Sequence, residues 1–267
     1  MHPIERLRYV ARASGVSQRV IVQETASALA SFGSDPQGLV TACRRIVSRQ
    51  PTSGPLLWFA ARVLTAGDPA NEIWDAAGEL QADGTAAQLA HALPEDATIT
   101  VLGWPDEIGE ALPRRGDVDV FVVDTLHEGS GFVSRLLRSD VEAIDVPLSG
   151  MGAAVAASSL VLLESPAIGP TDFLAVSGSR AAAAVARHAG VPVWLVGGVG
   201  RVLPSRMWDG LRRRVEAIDD PWDAADEIVP LDLVDRIAGV RGPEPVAEAL
   251  RRVDCPIAPE LFKGDVI

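Results

Sequence analysis

The chain has 267 residues, enough for one large domain or two smaller ones with a sizeable core. Its formal net charge of −12 works against partners that present a phosphate backbone or an anionic surface, so neither a nucleic-acid nor a membrane partner is expected. A local basic cluster can still hold one small anion. Two cysteines, Cys43 and Cys255, exclude a disulfide framework and a Cys-rich metal site, and His2, His91 and His188 show no metal-ligand spacing.

The first 93 residues carry helical periodicity only. Ile4, Leu7, Val10 and Ala11 form one apolar face, Val20, Ile21, Ala26, Leu29 and Ala30 a second, and Leu39, Cys43, Ile46 and Val47 a third. Turn chemistry falls at Gly15, at Gly33–Pro36 and at Gln50–Pro55. Thr52 or Ser53 is placed to cap a helix carrying Leu56, Leu57, Phe59, Ala60 and Leu64, and a longer helix is expected from about Ala70 towards Leu93.

After Pro94 the period changes. Short apolar runs at Ile99–Leu102, Val118–Val123, Glu142–Val146, Leu160–Leu163 and Val191–Val196 suit strands of a sheet covered on both faces. Helices are expected between them near Asp106–Leu112, Gly131–Arg138, Gly150–Ala157 and Val176–Ala189. The fold class that follows is α/β, a helical N-terminal part (1–93) and a Rossmann-like, doubly wound parallel sheet domain (94–267). Beyond the sheet lie an Arg-rich helix over Ser205–Ala217 and a last helix near Pro245–Val253.

Other features bear on setting. Lys263 is the only lysine and Asn71 the only asparagine, while Ala, Val, Gly and Arg abound, a bias that points to a GC-rich bacterial genome. The opening MHPIERLRYV interrupts any apolar stretch with charge, so no signal peptide is expected. The longest apolar run, Met151–Leu163, falls short of the roughly 20 residues of a membrane span. The expected compartment is the cytoplasm.

Several stretches, QPTSGPLLWFAARVL (50–64), VFVVDTLHEGSGFVSRLL (120–137), VLLESPAIGPTDFLAVSGS (161–179), EIVPLDLVDRIAGVRG (227–242) and CPIAPELF near the end, carry a resemblance. In spacing and hydrophobic pattern the chain resembles the initiation-factor-2B α/β/δ family, which includes methylthioribose-1-phosphate and ribose-1,5-bisphosphate isomerases. The resemblance implies a homodimer through the α/β domain and a site for a small phosphorylated ligand. It also exposes departures. The isomerases' cysteine turn reads Gly103-Trp104-Pro105-Asp106 here, and the aspartate of their Gly-Ala-Asp is Ser165, preceded by Glu164. The arginine expected after Asp124-Thr125 is Leu126, followed by His127, and the lysine of Lys-x-Gly-Thr is Val176. The thiol acid and carboxylate base are therefore both replaced.

Ligands of open parallel sheets bind at the carboxyl ends of strands, where helix N-termini present N–H groups. That rule gathers Gly103–Asp106, Asp124–Gly129, Glu164–Gly169 and Gly197–Arg201 at one cleft. Asp124, His127 and Glu164 are the candidate catalytic groups, since a histidine beside carboxylates is a workable acid–base set; Asp124 and Glu128 serve equally well as caps of the following helix. Trp104, Glu128, Ser165, Gly178, Ser179 and Arg201 are the candidate ligand-binding residues, with Gly178-Ser179 at a helix start suited to a phosphate. GGVGRV (197–202) lacks the third glycine of a dinucleotide loop, and neither a cofactor nor a metal is expected. Two functions remain open. One is a small-phosphorylated-ligand protein, extending to a divergent sugar-phosphate isomerase. The other is a non-catalytic regulatory or scaffolding relative that acts through protein contacts.

Overall fold

The computed structural model describes residues 17–32, 35–216, 220 and 222–263; the expected helix over Ile4–Ala11 lies outside them. Side-chain caps set where the N-terminal helices begin. Asp35 accepts the Gly38 N–H at 3.0 Å and Ser53 accepts that of Leu56 at 3.2 Å. Asp68 does the same for Ala70 at 3.1 Å, each cap standing just before a Pro or Gly-Pro at the first helical positions. The helices are α1 (Gln18–Leu29), α2 (Pro36–Arg49), α3 (Gly54–Thr65), α4 (Pro69–Gln81) and α5 (Thr85–Ala92). The single long helix expected after Ala70 is thus two, parted at Asp83-Gly84. There the Asp83 carboxylate accepts Thr85 N–H at 2.8 Å and, from a distant loop, Val199 N–H at 2.8 Å.

The α/β part runs β1 (Thr98–Leu102), α6 (Asp106–Arg115), β2 (Asp119–Asp124), α7 (Gly129–Leu137), β3 (Glu142–Pro147), α8 (Met151–Ala157) and β4 (Leu160–Glu164). It continues with β5 (Ala167–Ile168), β6 (Asp172–Val176), α9 (Ser179–Ala189), β7 (Val193–Val196), α10 (Ser205–Glu216) and β8 (Asp226–Pro230). β9 (Arg236–Gly239), β10 (Gly242–Pro245) and α11 (Val246–Ala249) end the series. Seven strands form the main sheet in the order β10-β9-β7-β4-β1-β2-β3. All neighbours pair parallel except β9 with β10.

Alternation along the strands explains the double winding. Ile99, Val101, Val120, Val122, Leu160 and Leu162 bury against Leu89, Ile108, Phe132 and Leu136 on one face. Val123, Val161, Leu163, Val193 and Leu195 bury against Val155, Ala182, Ala183 and Ala186 on the other. The polar Thr100 is buried within the sheet because its hydroxyl meets Ser158 Oγ at 2.7 Å.

Within the α/β part the structure corrects the expected elements at two further places. Asp172–Val176 is a strand of a second, antiparallel sheet ordered β5-β6-β8, so the helix expected from Val176 starts only at Ser179. Gly178, at φ 99°, makes the break, a left-handed conformation that glycine adopts without steric cost. The last helix is the four-residue α11, much shorter than the pattern suggested. A third core unites Leu29, Ile46, Trp58, Phe59 and Ile73 of the N-terminal helices with Trp208 and Leu211 of α10 and with Ala258 and Leu261 near the end. The C-terminal segment therefore packs against the helices that begin the chain.

Candidate functional site

A cavity of about 540 Å³ opens at the carboxyl edge of β1 and β4. Among the nine residues the sequence nominated, Trp104, Glu128, Glu164, Ser179 and Arg201 line it; Asp124, His127, Ser165 and Gly178 do not. Gln18, Thr52, Asp106 and Asp226 also line it, none of them nominated. Gln18 and Thr52 come from the N-terminal helical part, so the wall is shared between that part and the sheet. Sequence gave little sign of either, because both lie far from the strand ends in the chain.

Glu164 ends β4 and is fully committed. One oxygen accepts the backbone N–H groups of Glu107 at 2.8 Å and Ile108 at 3.1 Å, capping α6 from across the sheet. The other accepts from Arg201 at 3.0 Å. Arg201 is 4 % exposed, also donates to the Ser165 carbonyl at 2.9 Å, and lies 3.6 Å from Glu107. Burial works against its charge while Glu164 and Glu107 hold it, and the guanidinium stays above its usual range. Glu107 in turn takes both oxygens to Arg19 of α1, at 3.0 and 2.9 Å, and Arg19 reaches Glu110 at 3.0 Å. Burial, with Asp83 and Glu164 adding like charge, pushes Glu107 up to about 7 against the pull of Arg201 and Arg19. This chain of charges ties α1, α6, the end of β4 and the loop after β7 beneath the cavity.

The remaining nominated groups fall into clear places. Asp124 accepts the N–H groups of Glu128 at 3.1 Å and Gly129 at 3.3 Å, at the start of α7. His127 is exposed and sits at φ 64°, turned outward by the left-handed backbone. Ser165 is fully buried, its hydroxyl donating to the carbonyls of Ala167 and Leu174, each at 2.8 Å. It shapes the turn into the second sheet. Trp104 is 41 % exposed and tilts on Phe132 with ring centroids 5.8 Å apart, and a Cβ at Gly131 would stand 2.8 Å from its ring.

Ser179 is the first residue of α9, 1 % exposed, and its hydroxyl has no hydrogen-bond partner. The Thr125 hydroxyl, buried beside Gly103 and Gly178, is unpartnered as well. Glu227 accepts from the Arg180 N–H at 3.0 Å in the same first turn of α9. Two further carboxyls face the cavity. Asp106 is raised by burial and by Glu164, and Asp226 is pushed up to about 6 by burial alone. Among the described residues no cluster of His, Cys, Asp and Glu has the arrangement to hold a metal, and no helix is long and apolar enough to cross a membrane.

Neither a family model nor a curated protein sequence matches the chain. Solved structures do. The translation initiation factor eIF-2B of Pyrococcus horikoshii OT3 superposes with a TM-score of 0.76 at 12% identity, over 93% of this chain and 98% of that one. A chain of the tetrameric eIF2B-beta2-delta2 complex from C. thermophilum gives 0.75 at 15% identity, over 93% and 91%. The eIF2B beta of Chaetomium thermophilum gives 0.70 at 17% identity, over 91% and 86%. At these identities the likeness is one of fold, and it spans nearly the whole of each chain. The chain therefore has the fold of the initiation-factor-2B proteins.

Proposed function

We propose that this chain binds a small phosphorylated ligand, a sugar phosphate or nucleotide, in the cavity at the carboxyl edge of the sheet. The observation that carries the reading is Ser179, a residue of the cavity lining whose hydroxyl is buried without a partner at the first turn of α9. A buried hydroxyl left unpaired costs on the order of 1–3 kcal/mol, which a ligand oxygen accepting from it would recover. The helix N-terminus adds its partial positive charge. The ligand's hydroxylated body would then lie against Trp104 and donate to the carboxylates of Asp106 and Glu128.

Thermal-shift measurements against pentose and hexose phosphates, methylthioribose 1-phosphate and nucleoside monophosphates test this. A ligand at about 100 times its dissociation constant adds about 2.7 kcal/mol of stability. Stabilisation abolished by Ser179→Asp, which brings a fixed negative charge to the phosphate position, is the expected result. A flat response to every compound would refute the reading.

The regulatory or scaffolding alternative also has support. Both Glu164 oxygens are occupied, one by Arg201 and the other by two N–H groups, an arrangement that positions α6 and leaves neither oxygen free towards a substrate. A divergent isomerase would need its proton carriers elsewhere. Edge strand β3 exposes Ile144 at 59 %, and Leu137 and Leu148 beside it are exposed too, which supports a protein contact such as the homodimer through the α/β part. A cytoplasmic, bacterial protein fits either reading.

A further inference from the structure

Among the described residues, the cavity holds no free cation in its lining. Its charged lining is Asp106, Glu128, Glu164, Arg201 and Asp226, and Glu227 stands at the start of α9. Arg201 is bonded to Glu164 and to the Ser165 carbonyl, and lies beside Glu107. An anionic group arriving at Ser179 therefore meets carboxyls that outnumber the one, already paired, guanidinium. Some group must change charge, or the anion is repelled.

Asp226 is the group placed to do so. The antiparallel register of β6 and β8 sets it opposite Val176. Directly paired residues share a face of the sheet, and both side chains line the cavity. Val176 stands three residues before Ser179, across the Gly178 turn. Among the described residues no hydrogen bond or ion pair engages the Asp226 carboxyl, in contrast to Glu164 and Glu227. Burial alone raises its affinity for a proton, with no neighbouring charge contributing.

Resting on the ligand-binding reading above, we propose that Asp226 is the specificity-determining residue of the pocket. As the carboxylic acid it donates a hydrogen bond to the anionic group held at Ser179; as the carboxylate it repels that group. Ligand binding is then coupled to the uptake of a proton, and the site favours oxyanions that accept a hydrogen bond over those that need a counter-cation.

Sulfate is the probe, because it stays dianionic across the range and its own ionisation adds nothing. Isothermal titration calorimetry of the whole protein at about pH 5.5 and about pH 7.5 is expected to give affinity about tenfold or more tighter at the lower pH. Repeating the titration near neutral pH in two buffers of different ionisation enthalpy should report uptake of about one proton. In Asp226→Asn the amide donates at every pH, so the two affinities should agree within about twofold. A wild-type affinity independent of pH, or a pH dependence that survives in Asp226→Asn, overturns the inference and leaves the ligand site standing. No sulfate binding by either protein at either pH overturns the site itself. If Asp226→Asn does not fold, the proton count on the wild type decides, and a count of zero refutes the proposal.

Discussion

Asp226 begins β8 half-buried, and the cost of taking its carboxyl out of water has a sign that stability measurements can read. Its folded value near 6 lies above the ordinary 3.8, so the folded state binds the proton more tightly than the unfolded chain. The favourable contribution is complete below about pH 3.8, falls as pH rises, and is gone above about pH 6. Asp226→Asn has no such loss, so the variant should gain on the wild type as pH rises, by up to about 3 kcal/mol at neutral pH. Melting temperature followed from acid to neutral pH measures it; parallel curves for the two proteins would contradict the assignment. No sequence signal singled out this aspartate, because the strand that aims it into the cavity was itself not foreseen.

At the scale of elements, what was legible followed from local pattern. The five runs became β1, β2, β3, β4 and β7; β1, β2, β4 and β7 bury side chains on both faces and show as apolar runs for that reason, whereas β3, at the edge of the sheet, is exposed or half-buried throughout. β5 has only two residues, and only two residues separate β6 from α9, so the apolar residues of β6 merge with the helix that follows. β10 carries two prolines in Gly242–Pro245, which mask a strand to any propensity argument and are tolerated because it lies at the edge of the sheet. The network of Arg19, Glu107, Arg201 and Glu164 was illegible for a different reason. Its members sit on four separate elements, and Glu164 bonds to N–H groups 57 and 56 residues away in sequence. Arg201 serves the buried Glu107 and the half-buried Glu164, so Arg201→Met should destabilise the fold by about 3 kcal/mol or more, seen as a lower denaturant midpoint. Replacing Glu164 with leucine in the same chain removes one of the stranded charges. The double variant should therefore lose less than the sum of the two single losses, and strict additivity would mean that the pair is not coupled.

For the whole molecule, the likeness to the initiation-factor-2B structures covers nearly all of each chain, and the fold expected from the resemblance is the fold found. The cavity belongs to neither half alone, since Gln18 and Thr52 reach it from the N-terminal helices while Glu164 and Ser179 reach it from the sheet. Trp58 and Phe59 of α3 share a core with Trp208 of α10, and Arg19 of α1 grips Glu107 of α6, so the shared wall is held on both sides. The ligand site proposed has this wall around it and the ligand's phosphate at Ser179. Diffraction from crystals grown with a stabilising sugar phosphate or nucleotide tests it most directly. Phosphate density is expected within hydrogen-bond distance of Ser179 Oγ, with the rest of the ligand towards Trp104. Density for the phosphate at any other place in the molecule, or none in the cavity, would contradict it.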